Sequence, residues 1–152
     1  DIDLAAFDSL AKSRLVDDFA DGMGNWSSRD GGNFKTYKFQ DPELNTTPGS
    51  KLAITLNLQE GQDLLLGLGI DSKFNGHGKD LGHFNYGTKV SGKGPQTILL
   101  EVKDFKSKND KTLEWSKIST ISITLTDANT KQRIKLATPE GARILKRIEL
   151  VK

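Results

Sequence analysis

From Ser50 onwards, apolar and polar residues alternate in short separate runs. In SKLAITLNLQ, Leu52, Ile54, Leu56 and Leu58 share one side, and Lys51, Thr55, Asn57 and Gln59 share the other. Successive side chains of a strand point to opposite faces, so this run predicts a strand with one dry face. DLLLGLGID sets Leu64, Leu66, Leu68 and Ile70 against Leu65, Gly67 and Gly69. Glycines on an outer face leave room for something to lie close to the backbone, or mark a bulge. HFNYGTKV sets Phe84, Tyr86, Thr88 and Val90 against Asn85, Gly87 and Lys89. TILLEVKDF sets Ile98, Leu100 and Val102 against Leu99, Glu101 and Lys103, and KISTISITLT offers Ile121, Ile123 and Leu125. QRIKLAT and RILKRIELV close the chain with Ile134, Leu136, Ile144, Ile148 and Leu150. With RLVDDF and NFKTYKFQ near the start, the pattern predicts about nine strands.

Only the first residues read as helical. In DIDLAAFDSLAKSRL, Ile2, Leu4, Phe7, Leu10 and Leu15 recur at near-helical spacing, with Asp3 as a cap. Residues 1–14 are therefore assigned to an N-terminal helix or linker, and residues 15–152 to one β domain. Between the strands lie DGMGN, RDGGN, TTPGS, GKGP, KSKND, DANTK and TPEGA, all rich in turn formers. Short strands so punctuated predict an all-β fold, an antiparallel β-sandwich of jelly-roll type. Helices do not alternate with the strands, which argues against a parallel α/β sheet.

Composition narrows the function. The 152 residues carry a net charge of +2, with acids and bases mixed along the chain. There is no basic block, so a nucleic-acid partner is not expected. No apolar run reaches the ~18 residues of a membrane helix, so no membrane partner is expected. Cysteine is absent, which removes disulfides, thiol nucleophiles and cysteine-ligated metals. The chain starts at Asp1 without an initiator methionine, which reads as processing or excision from a longer protein.

Catalytic signatures are missing: there is no GxSxG elbow and no HExxH. The two histidines, His77 and His83, fall in FNGHGKDLGHFNYGTKVSGKG at a spacing that is no recognised ligand pattern. The same stretch is no phosphate loop, because it leads into a strand and not into a helix N-terminus. A pair of acids for glycoside hydrolysis is conceivable, but no stretch marks one.

What the stretch does carry is suited to sugars. Aromatic rings stack on sugar C–H faces, and bidentate polar groups reach hydroxyl edges. Asn75, His77, His83, Asn85, Tyr86 and Lys89 supply such groups, with Tyr37 on NFKTYKFQ. The bland reading is a glycine-rich connection with chance aromatics.

The order of features resembles galactose-binding-like jelly rolls. LVDDFADGMGNW matches their opening strand, in which an aspartate–phenylalanine–acid–glycine turn precedes a tryptophan. GPQTILLEVKDF, EWSKISTISITLTD and ILKRIELVK match their closing half, so the likeness spans residues 15–152. It implies a carbohydrate-binding module of the kind attached to secreted bacterial polysaccharide-degrading enzymes such as agarases. Such a module is non-catalytic, monomeric and secreted or at the cell surface. Its partners would be a polysaccharide and an attached catalytic domain. An agarose-type galactan is the first expected ligand and a β-glucan the second. A structural or protein-interaction domain is the alternative, followed by a small hydrolase or lyase. Many such modules hold calcium between acids on the first and last strands. Here Lys146 and Arg147 stand where the last-strand acid would be; Asp17, Asp18 and Glu149 remain candidate calcium ligands, but the two cations disfavour the ion, so no cofactor is expected.

Overall fold

A computed structural model describes residues 13–28, 30–36, 51–59, 61–72, 83–107 and 118–151. The described strands are β1 (Ser13–Asp17), β2 (Phe34–Thr36), β3 (Lys51–Leu58), β4 (Leu64–Ser72), β5 (His83–Val90), β6 (Gly94–Leu100), β7 (Lys106–Ser107), β8 (Ile118–Asp127) and β9 (Leu145–Val151). They form a four-stranded sheet in the order β1-β9-β3-β6 and a five-stranded sheet in the order β2-β8-β4-β5-β7. Every pairing is antiparallel.

The alternation read from the sequence places the core. From the four-stranded sheet, Leu52, Ile54, Leu56 and Leu58 of β3 and Ile148 and Leu150 of β9 are buried. From the five-stranded sheet they meet Leu64, Leu66, Leu68 and Ile70 of β4, Phe84 of β5 and Ile121, Ile123 and Leu125 of β8. Burying one such side chain contributes roughly 1.5–3 kcal/mol. The domain is a jelly-roll β-sandwich, as the strand pattern predicts.

Three stretches differ from expectation. TILLEVKDF does not run through as a strand. β6 stops at Leu100, and Val102–Asp104 turn as a 3-10 helix. There the Asp104 carboxylate accepts the Glu101 N–H at 2.7 Å and redirects the chain into β7. QRIKLAT forms one bridge to β8, Thr126 with Arg133, instead of a strand. TPEGA, read as a turn, opens helix α1 (Pro139–Ile144), so Ile144 is buried from a helix and not from a strand. Thr138 caps α1 by accepting the Gly141 N–H, and Pro139 suits the first turn, where its missing donor costs nothing. Gly141 packs directly against the Leu136 backbone, leaving no room for a Cβ. The expected N-terminal helix lies outside the described residues. β1 already includes Ser13 and Arg14, two residues before the expected domain start.

The opening turn is organised by one carboxylate. Asp17 is 5% exposed, and its Oδ2 accepts the indole N–H of Trp26 at 2.8 Å. Its Oδ1 accepts the Phe19 N–H at 2.9 Å. Phe19 then takes a left-handed φ of 57°, and its ring stacks on Trp26 at 5.8 Å. The DFADGMGNW signature is thus a loop wrapped around a buried acid. Asp18 accepts the exposed Ala20 N–H at 3.0 Å. Asp17→Ala should cost about 1–3 kcal/mol in urea unfolding, because the buried indole N–H loses its acceptor. Asp18→Ala should cost less than about 0.5 kcal/mol.

Two other aspartates hold surface turns. Asp30 Oδ1 accepts the N–H of Asn33 and of Gly32, at 2.9 and 2.8 Å. Those backbone donors bring its pKa down to about 2. Asp127 is lowered in the same way by the N–H groups of Thr130 and Asn129. Both groups add stability that is complete above the unfolded carboxylate range near pH 4 and lost as pH falls below it, for Asp30 as pH approaches 2. Asp30→Asn should flatten the acid limb of the stability curve between about pH 4 and pH 2, as measured by thermal melts.

Candidate functional site

The outward residues of the five-stranded sheet are small and polar where its inward residues are large and apolar. β4 turns Gly67, Gly69 and Asp71 outward between its buried leucines. The register sets Gly67 between Gly87 of β5 and Thr124 of β8. Gly69 lies between Asn85 and Ser122, and Asp71 between His83 and Thr120. Lys35 of β2 continues the row beyond Ser122. Missing side chains in the middle and longer ones at the margins make a trough.

That trough is a cleft of about 330 Å³. Gly67 and Gly69 form its floor; Ser122 and Thr124 line one flank, Asn85 and Tyr86 the other, and Lys35 and Asp71 one end. The Asp71 carboxylate accepts the Thr120 hydroxyl at 2.9 Å and stands 3.8 Å from Lys35 Nζ. The Ser122 hydroxyl donates to the Gly69 carbonyl at 3.3 Å. The cleft therefore offers a carboxylate, an ammonium, an amide and hydroxyls over bare backbone. Such a surface can make directional hydrogen bonds to a polyhydroxylated ligand. Tyr86 borders the cleft, but its ring is half-buried against the core, 5.9 Å from that of buried Phe105.

Of the residues expected from sequence, Asn85 and Tyr86 line the cleft. Lys89 is exposed on the same face, one row past Gly87, with its Nζ 3.7 Å from Asp63. His83 heads β5 in register with Asp71. Tyr37, Asn75 and His77 lie outside the described residues. Sequence reasoning missed Asn33, Lys35, Asp71, Ser122 and Thr124. The available signal was the glycine pair on the outer face of β4, whose neighbours only the register reveals.

Among the described residues, no group of three histidines or acids is placed to hold a metal ion. Asp17 is committed to Trp26 and Phe19, and Glu149 lies 3.2 Å from Arg147 Nε. No described helix is long and apolar enough to cross a membrane.

No family model matches the chain, and no curated protein matches it. Two solved structures do. One is a family 11 carbohydrate-binding module from Clostridium thermocellum in complex with a β-1,3-1,4-mixed-linked tetrasaccharide. It superimposes with a TM-score of 0.56 at 14% identity, over 91% of this chain and 95% of the module. The other is the solution structure of CtCBM11, with a TM-score of 0.60 at 17% identity, over 92% and 95%. At such low identity the likeness is one of fold, and it extends over nearly the whole of each chain.

The floor of the cleft has a measurable signature. A Cβ on Gly67 would stand 2.6 Å from the Thr124 hydroxyl oxygen, whereas one on Gly87 would meet only the Leu66 carbonyl at 3.9 Å. Gly87→Ala should stabilise the domain by about 0.5 kcal/mol, because the unfolded chain loses freedom. Gly67→Ala should instead destabilise by about 1 kcal/mol, since Thr124 must leave its rotamer. Adding Thr124→Ala should recover most of that loss in a double-mutant cycle followed by chemical denaturation.

Proposed function

We propose that this chain is a non-catalytic polysaccharide-binding domain that holds a glycan chain in the cleft over Gly67 and Gly69. The cleft itself carries the reading. It is open at the surface, floored by backbone and walled by Lys35, Asp71, Asn85, Ser122 and Thr124. Glycines let a ring approach the sheet closely, and the wall groups match hydroxyl edges in number and type. Both structural neighbours are carbohydrate-binding modules, one holding a mixed-linkage β-glucan fragment. That fragment moves a β-glucan ahead of an agarose-type galactan as the first ligand to test. Lys89, exposed near the end of β5, extends the contact surface along the strand. The domain would act outside the cell, as a monomer without a cofactor, keeping an attached polysaccharide-degrading domain on its substrate.

With few aromatic contacts, binding should be modest, between millimolar and micromolar, or about 4 to 8 kcal/mol. Affinity gel electrophoresis against mixed-linkage β-glucan, agarose, xylan and mannan tests the reading. At least one β-glucan or galactan should retard the protein. Asn85→Ala, at an exposed position, should weaken retention roughly threefold to tenfold with an unchanged melting temperature. Leu99→Ala, on the outer face of the other sheet, should leave retention intact. No retardation on any glycan overturns the proposal, and release of reducing ends or unsaturated products overturns its non-catalytic part.

A further inference from the structure

The cleft does not end at Thr124. β2 covers only the Ile121 to Ile123 part of the β8 edge. Beyond it, Arg133 takes the edge position, bridged to Thr126. The Ile134 N–H donates to the Leu125 carbonyl at 2.7 Å, and the Asp127 N–H to the Gln132 carbonyl at 2.9 Å. Ile134 and Leu136 are buried in the core. The residues that alternate with them, Lys131, Arg133 and Lys135, are exposed and line a second hollow of about 240 Å³. Thr126 and Gly32 line it too, while Thr124 and Asn33 line the cleft. Thr124 and Thr126 are successive outward residues of β8, about 7 Å apart. The two hollows therefore adjoin along one strand.

The second hollow is strongly positive. Three cations face one carboxylate, Asp30. Asp30 Oδ1 is committed to its own turn through Gly32 N–H, Asn33 N–H and the Ser28 hydroxyl. Lys135 Nζ reaches the Asp30 carbonyl at 3.2 Å and not its carboxylate. Among the described residues, neither Lys131 nor Arg133 stands within 4 Å of a carboxylate, although the Arg133 charge helps to hold the Asp30 pKa down. The Arg133 stem also crosses Gly32 where a Cβ would stand. A planar guanidinium flanked by two ammonium groups matches a carboxylate or sulfate ester.

We propose that Lys131, Arg133 and Lys135 form a subsite for an anionic substituent, a uronate carboxylate or a sulfate ester, on the glycan bound in the adjoining cleft. The inference rests on the glycan reading and narrows its ligand class to acidic or acid-substituted polysaccharides.

Mixed-linkage β-glucan and agarose, each neutral, oxidised to carboxylates at primary hydroxyls, and sulfated, are the probes. Dextran sulfate is the control with an unrelated backbone. Affinity electrophoresis at low salt should show an acidic form held roughly threefold to tenfold tighter than its neutral parent. The carboxylated and sulfated arms identify which group the subsite takes. At about 0.5 M salt the advantage should shrink, since screening then acts within a few ångströms. Lys131→Gln, Arg133→Gln and Lys135→Gln together should abolish the advantage and keep neutral retention and the melting temperature. Equal retention of neutral and acidic forms overturns the subsite and leaves the glycan reading standing. An advantage that survives the triple variant, or dextran sulfate held as tightly, also overturns it. No retention of any glucan or agarose form overturns the glycan reading and the subsite together.

Discussion

The structure depends on β4 having two different faces. Leu64, Leu66, Leu68 and Ile70 seal the core of the sandwich, while Gly67 and Gly69 leave the opposite face without side chains. β4 pairs with β8 on one side and β5 on the other, so it is central to its sheet. A central strand tolerates glycine poorly, because glycine loses most entropy on ordering and packs nothing. Here the four apolar residues beneath compensate, and the outer face is left open for a ligand. Core and cleft are consequences of a single alternating run.

The strands flanking β4 supply what the floor lacks. β8 contributes hydroxyls, β5 an amide, and β2 an ammonium that approaches the β4 carboxylate. None of these groups is close to another in the chain except along its own strand. Hydrogen-bond register brings them into rows, and a one-residue slip would replace every one of them by a core residue. The dry face pins that register, so the geometry of the polar face is held by the apolar one.

Edges are managed by local chemistry. The first strand ends in a loop wound around Asp17, which satisfies a buried indole and one backbone donor at once. At the β8 edge, the short β2 is succeeded by the segment around Arg133, whose buried Ile134 fixes which way its cations face. Both devices convert a polar or charged side chain into a positioned group without a disulfide. The positive hollow follows from the same alternation as the core, with long cationic side chains in place of small ones.

The residue sequence by itself determined the all-β class, most strand positions, the inward residues of each and the two-faced character of HFNYGTKV. These follow from a period of two, a local property that any window shows. It also carried the sign that something could approach the backbone at Gly67 and Gly69. Only the tertiary structure decided which strands are neighbours, and hence that Ser122, Thr124, Lys35 and Asp71 surround those glycines. Pairing between residues distant in sequence is set by loop closure and packing, which no local pattern encodes. The same holds for helix α1: TPEGA reads as a turn and the following Arg143 and Ile144 as the start of a strand, and the segment becomes helical because Thr138 caps it and Gly141 packs against Leu136. QRIKLAT alternates like a strand, yet among the described residues it joins the β8 edge by a single bridge, beyond the Ile121–Ile123 part that β2 covers.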